Sequence, residues 1–348
     1  MTRATLSLTR ACNNACVFCA QDGLPPLVEG EVPSQLAQLR AQGATELTFV
    51  GGEPTLREAL AALVRLARDA GFERVGLQSN GRRLAEPALT KALADAGLTD
   101  VHLTVLGGDA AVHDYHSGVE GSFVALLAGI GVARAQGLQV VASTVVTRSN
   151  YRVLNALPAL LLSRGVSAWQ LTAPFIAGRA IAAMDRVVPR LALAVPYALH
   201  ALDAATKQGL RSFAGGMPLC LLGPFAARAL PSRPRAFAPP CEGCPARERC
   251  PGVDAVYLAR FGPDELAAPA KAPLPPAAAD AVSRLFTGPG EAWVPEHVSV
   301  PAPPAAVRAE LADLGKGTPA TAEVSMRERK SGEALRGLFP QLFKPKDG

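Results

Sequence analysis

Cys12, Cys16 and Cys19 fall within eight residues in the spacing Cys-x3-Cys-x2-Cys, in the segment Ala11-Cys12-Asn13-Asn14-Ala15-Cys16-Val17-Phe18-Cys19-Ala20. Thiolates are metal ligands, and a 4Fe–4S cube normally takes four of them. Three in one short loop hold three irons and leave the fourth open to a group that is not protein. Structural zinc usually brings four protein ligands, often as two pairs. No further cysteine or histidine lies near the triplet in sequence, and the next histidine is His102. The spacing therefore favours an open-iron cluster over structural zinc.

The other four of the seven cysteines are Cys220, Cys241, Cys244 and Cys250. An odd count in a long chain, with no apolar h-region between Met1 and Asn14, argues against a secreted disulfide framework. Four thiolates satisfy one fully ligated 4Fe–4S cluster, and the same set suits zinc. No uninterrupted apolar run reaches the length of a membrane span. A soluble, cytoplasmic protein without a membrane partner is expected. The net charge of +5 is spread along the chain, which excludes the basic stripe expected of a nucleic-acid binder.

The elements that must position these cysteines alternate in type. Strand-like runs are Thr5–Thr9, Glu46–Val50, Arg74–Ser79, Val101–Leu106, Val140–Val146 and Ala168–Thr172. Amphipathic helical stretches lie near Val32–Ala41, Leu56–Ala70, Pro87–Ala96, Ser122–Gln136 and Tyr151–Arg164. Gly43, Gly71, Gly97, Gly137 and Gly165 follow these stretches as helix stops. Successive βα units imply parallel strands joined by right-handed crossovers, in an open sheet or a partial barrel. In α/β barrels the reactive groups sit on loops after the strands, where the cysteine triplet lies. A last helix over Arg190–Gln208 covers the barrel. From residue 210 to 266 proline and glycine become dense around the second cysteine group. Beyond, the chain is Pro/Ala-rich and reads mostly as linker, with a short ordered piece around Trp293 and a helix near Gly332–Leu338. The expected division is a core barrel at 1–209, a small irregular cysteine-rich auxiliary domain at 210–266 and an extension at 267–348.

One βα unit after the cysteine loop stands Gly51-Gly52-Glu53-Pro54-Thr55. Paired glycines let a backbone approach a ligand closely, and Pro54 fixes the exit into a helix. Together with Phe18 before the third cysteine, Ser79-Asn80-Gly81 after strand three and Gly178-Arg179-Ala180 after strand six, this resembles the radical S-adenosylmethionine (radical SAM) superfamily across roughly residues 4–205. The resemblance implies a partial (β/α)6 TIM-type barrel in which SAM chelates the open iron. It implies that Phe18, Gly51, Gly52 and Glu53 border SAM, with the Gly-Gly-Glu segment at its amino group. It further places Ser79 and Asn80 near the ribose or methionine moiety, Thr104 as a polar contact and Arg179 near the carboxylate. Leu106 departs from the pattern, since relatives often carry an acid two residues after the strand-four polar position.

The second cysteine group, with Tyr257 following, resembles the auxiliary-cluster domains called SPASM and twitch. A full SPASM domain carries seven cysteines; Asp254 stands here where another would fall. A shortened domain with one auxiliary 4Fe–4S cluster is implied, zinc being the alternative. His113 and His116, in the loop after strand four, are expected at the barrel mouth. The implied activity is reductive cleavage of SAM to a 5′-deoxyadenosyl radical that abstracts hydrogen from substrate. An electron donor such as flavodoxin or ferredoxin is implied as a partner. Modification of a ribosomally made peptide is the first reading of the substrate. With the barrel starting almost at Met1, a leader-peptide reader is expected to be a separate protein. A small molecule such as a sugar or nucleotide is the alternative, and a non-catalytic iron–sulfur redox protein is the alternative of another class.

Overall fold

The computed structural model describes residues 2–24, 32–230, 236–273 and 280–286. Seven parallel strands pair in sequence order: β1 (Thr2–Thr9), β2 (Ala44–Gly51), β3 (Arg74–Ser79), β4 (Asp100–Thr104), β5 (Gln139–Val145), β6 (Ala168–Thr172) and β7 (Arg211–Gly215). The crossovers carry α1 (Val32–Ala41), α2 (Leu60–Asp69), α3 (Pro87–Asp95), the pair α4 (Ala110–Ser117) and α5 (Ser122–Ala135), α6 (Leu157–Ser163), and then α7 (Arg179–Ala182), α8 (Met184–Val187) and α9 (Leu191–Lys207). After β7 come α10 (Leu219–Leu222) and α11 (Ala255–Phe261). The glycines expected to stop helices at 43, 71, 97, 137 and 165 all have positive φ.

The sheet curls. Arg3 on β1 bonds directly to Asp100 on β4. Three strand spacings of roughly 4.8 Å would hold these strands about 14 Å apart in a flat sheet, beyond the reach of such a pair. Residues that face inward follow from the register: Glu46 and Arg3 pair, as do Gln78 and His102, Thr104 and Ser143, and Ser143 and Gln170. The outward faces carry the apolar core against the helices, with Leu47, Phe49, Leu77, Leu103 and Trp169 fully buried.

The base of the barrel, at the N-terminal strand ends, is closed by charge and by a distant segment. Arg3 donates to Thr48 Oγ1 at 2.6 Å and to Glu46 at 3.2 Å, besides Asp100. Arg74 reaches Asp100 at 3.2 Å, and Arg284 reaches Glu46 at 3.4 Å. Buried ions persist only when paired and hydrogen-bonded, and this set is both. Leu285 and Phe286 pack with Val282 on Val141, Ala168, Phe213 and Leu230. Phe286 stands edge-on to His102, with ring centroids 5.3 Å apart.

Three features differ from the sequence expectation. Residue 210 does not begin an irregular region, because β7 adds a seventh strand; only five residues long and ending in Gly215-Gly216, it carries little strand signal. Residues 280–286 are not linker: Val282, Leu285 and Phe286 recur at helical spacing and bury themselves in the base. The loop after β4 contains α4, capped by Asp109, which accepts from Val112 N at 2.9 Å. The described residues share one compact unit, Met1–His297. The expected order around Trp293 and Gly332–Leu338 lies outside the described residues.

Leu285 is 0% exposed, so Leu285→Ala leaves a cavity at the barrel base. Denaturant unfolding should show a loss of about 2–5 kcal/mol, the usual range for such truncations.

Candidate active site

The cysteine loop emerges from β1 and is held from four sides by hydrogen bonds. Gly52 N donates to Thr9 O at 2.7 Å and Glu53 N to Ala11 O at 2.8 Å. A Cβ on Gly52 would stand 2.2 Å from Ala11 O, and one on Gly51 2.4 Å from Thr9 O. Only glycine permits that approach. From α4, Ser117 O accepts from Ala15 N at 2.8 Å and His116 O from Val17 N at 3.1 Å. From the start of α7, Arg179 N donates to Cys19 O at 3.0 Å. From the β3 exit, Asn80 Nδ2 donates to Asn13 Oδ1 at 2.6 Å and Arg82 to Asn13 O at 2.5 Å.

These contacts place Cys12, Cys16 and Cys19 on the wall of a cavity of about 420 Å³ at the C-terminal strand ends. That is within the usual size of a small-molecule site. Phe18, Gly51, Gly52, Ser79, Asn80, Thr104 and Arg179 line the same cavity. Burial, then the neighbouring Cys12 and Cys19, push the Cys16 thiol up to about 12. Burial likewise raises Cys12, with Glu53 and Cys19 adding to it. Thiols that obstruct one another's ionisation in this way are crowded together, and a bound cation relieves the repulsion.

Two implied contacts are arranged differently from the expectation. The Glu53 carboxylate is 0% exposed and does not line the cavity. It accepts from Thr55 N at 3.1 Å, Thr55 Oγ1 at 2.6 Å, Ser79 Oγ at 2.8 Å and Asn80 N at 2.7 Å. Its side chain therefore locks the β3 exit onto the Gly-Gly turn. Arg179 borders the cavity, but its guanidinium already pairs with Asp22 at 2.8 Å and donates to Cys16 O at 3.3 Å.

His113 and His116 are not at the mouth. Both are buried in α4: His113 Nδ1 accepts from Leu106 N at 3.2 Å, and His116 bridges Val112 O and Thr147 Oγ1. They brace α4, whose C-terminus holds the cysteine loop. Sequence reasoning missed Asn13, Gln21, Asp22 and Arg82 as loop supports. Gln21 Nε2 bonds Gly51 O at 3.1 Å. It also missed Gln78, His102, Ser143 and Gln170, which line the cavity from the barrel interior.

The second cysteine group surrounds one small cavity that all four thiols line. Cys220 sits in α10, and Cys250 accepts from Leu219 N and Gly252 N, each at 3.4 Å. Burial raises the Cys220 thiol, with Cys250, Cys241 and Cys244 adding to it. Among the described residues no three cysteine, histidine or acidic side chains converge closely enough for a single ion. Asp254 caps α11 by accepting from Val256 N at 2.9 Å. Tyr257 ties this segment to the barrel, its hydroxyl oxygen accepting from Leu191 N at 2.7 Å.

Residues 6–151 match the radical SAM superfamily. It is 30% identical over 186 residues to the AdoMet-dependent heme synthase of Nitratidesulfovibrio vulgaris, covering 52% of this chain and 50% of that protein. It is 33% identical over 146 residues to the GTP 3′,8-cyclase of Aeromonas hydrophila, covering 38% of this chain and 42% of that one. The chain thus spans half or less of the length of these curated relatives. The fold is shared with SuiB of Streptococcus suis, solved bound to S-adenosylmethionine, at a TM-score of 0.52 and 14% identity over 61% of this chain and 50% of that one.

Burial, reinforced by Arg3, holds the His102 imidazole down to about 3, and burial holds His113 down to about 4. An unfolded histidine protonates near pH 6.5. The stability these neutral rings contribute is therefore full above pH 6.5 and is lost as pH falls toward the folded values. Thermal midpoints should drop between pH 7 and pH 5, and His102→Leu should drop less than the wild type. Parallel profiles would contradict this sign.

Proposed function

We propose that this protein is a radical SAM enzyme that reductively cleaves S-adenosylmethionine and abstracts hydrogen from a substrate held in the barrel. The observation that carries this reading is that all three thiols of the triplet and the Gly51–Gly52 edge line one cavity. When bound, the open-iron 4Fe–4S cluster and SAM supply the electron and the 5′-deoxyadenosyl radical; cofactors of this kind carry the hard chemistry. The chain's own part is to hold Cys12, Cys16 and Cys19 through Gly52, Ser117, Arg179 and Asn80. Gly51 and Gly52 let SAM approach the backbone, Phe18, Ser79, Asn80 and Thr104 orient it, and Arg179 stands near its carboxylate.

Cys220, Cys241, Cys244 and Cys250 would hold one auxiliary 4Fe–4S cluster in a twitch-like segment, supported by their shared cavity. A flavodoxin- or ferredoxin-type donor would supply electrons, and the seven free thiols accord with a reducing, cytoplasmic setting. No single helix among the described residues is long and apolar enough to cross a membrane. Peptide modification is the first reading of the substrate, from the SPASM/twitch-like cysteine set. The second is a small molecule, favoured by the names of the curated relatives, a heme synthase and a GTP cyclase.

Anaerobic reconstitution should load about eight irons, four for each cluster. Dithionite with SAM should then release 5′-deoxyadenosine. Cys16→Ser should abolish that release, whereas Cys244→Ser should lose about four irons and keep it. A fully loaded wild type that releases none would overturn the enzyme reading, and zinc at the second site would remove the auxiliary cluster.

A further inference from the structure

Arg148, Arg152, Arg190 and Arg260 line a second cavity of about 420 Å³ that shares no lining residue with the triplet's cavity. Arg148 and Arg152 follow β5, Arg190 leads into α9 and Arg260 lies in α11. Two carboxylates stand against these four guanidiniums: Asp185 takes Arg260 at 2.9 Å, and Glu265 takes Arg190 at 2.5 Å. Arg148 donates to the backbone carbonyl of Asp185, and Arg152 lies over the Tyr151 ring, 4.7 Å from its centroid. Neither of these two meets a carboxylate among the described residues. The cleft therefore has two cations to spare.

Three of the guanidiniums rest on aromatic rings. Arg190 and Arg260 both lie over Phe261, 5.8 and 5.4 Å from its centroid, as Arg152 does over Tyr151. A guanidinium stacked in this way keeps its N–H edge for an oxyanion. The four are not gathered on one point. Arg148 and Arg260 meet at Asp185, Arg190 and Arg260 at Phe261, and Arg152 stands on Tyr151. Between them the wall is apolar, with Val188, Pro189 and Leu193, the last 58% exposed. A free phosphate would occupy one point and leave the apolar wall in water. Carboxylates spaced along a chain, with apolar side chains between them, match both features.

The cleft lies at the mouth end of the barrel. Arg148 comes three residues after Val145, the last residue of β5, and Val145 lines the triplet's cavity. Three residues of extended chain span at most about 10 Å. A peptide held in the cleft can pass over the β5 rim and present another of its residues inside the barrel. Binding energy gained away from the reacting centre is what orients a substrate at it.

We propose that this cleft binds an acidic, partly apolar segment of a peptide substrate, held outside the barrel by Arg148, Arg152 and the apolar wall. This rests on the peptide reading of the substrate and deepens it: recognition and reaction fall on separate parts of one chain.

The probe is a fluorescein-labelled hexapeptide of alternating glutamate and leucine, with its glutamine counterpart as the uncharged control. Fluorescence anisotropy on the reconstituted protein should show the acidic peptide bound and the control not. Arg148→Gln with Arg152→Gln should weaken that binding about fivefold or more, the scale of two lost surface ion pairs. Arg152→Gln alone should weaken it about twofold or more, which keeps the test open if the double variant folds poorly. Arg65→Gln with Arg164→Gln, an equal loss of charge at exposed sites elsewhere, should leave it unchanged. Equal binding of both peptides, unchanged affinity in the cleft variants, or an equal loss in the distant pair would each overturn the cleft. Phosphate that displaces the peptide better than chloride at matched ionic strength would assign the arginines to free oxyanions and overturn it too. Binding is measured without SAM and is independent of turnover. A loaded enzyme that cleaves SAM with a small molecule and with no peptide would defeat the peptide reading instead.

Discussion

Two stretches of backbone, Thr9–Ala11 and Gly51–Glu53, are pressed together with no room for a side chain between them. The rest of the site depends on that contact. It continues the β1–β2 pairing past the strand ends, so the cysteine loop leaves β1 in a direction fixed by β2. Glu53 then extends the constraint to β3 by accepting from Ser79 and Asn80, and Asn80 passes it back to the loop through Asn13. Three strands and one loop are thereby one rigid object. Catalytic geometry tolerates errors of only a fraction of an ångström, and backbone bonds between strand ends are among the stiffest supports available.

The barrel interior carries polar groups in two regimes. At the base, Arg3, Glu46, Arg74, Asp100 and Arg284 neutralise one another. Higher up, Thr5 Oγ1, Ser7 Oγ and both His102 nitrogens have no partner among the described residues. The first regime closes the barrel; above it Gln78, Ser143 and Gln170 line the cavity. A cavity so lined is wet until something with matching groups displaces the water.

The cysteine triplet and the Gly-Gly turn were legible because each is a local pattern whose spacing carries its chemistry. Six strands and most crossover helices were legible from periodicity. What could not be read was whatever depends on curvature. Gln78, His102, Ser143 and Gln170 occupy alternate strand positions, and a polar residue at period two ordinarily means a solvent-facing side. In a curled sheet that same side is the lumen. The orientation of Glu53 was hidden for a related reason: its motif implies proximity to a ligand, while its carboxylate is held by donors at the β3 exit, 26 and 27 residues away. The role of Leu285 and Phe286 rests on contacts across more than a hundred residues, in a segment whose composition suggests none.

The placement of residues 280–286 has a consequence in time. They follow all seven strands in the chain, so a ribosome delivers the cysteine loop, the Gly-Gly turn and the complete sheet before it delivers the piece that covers the base. Domains fold progressively as they emerge. Until Leu285 and Phe286 arrive, Val141, Ala168 and the underside of His102 are open from below. Closure of the lumen is thus a late event in the life of the nascent chain, set by the distance from β7 to Leu285 and separable from formation of the barrel itself.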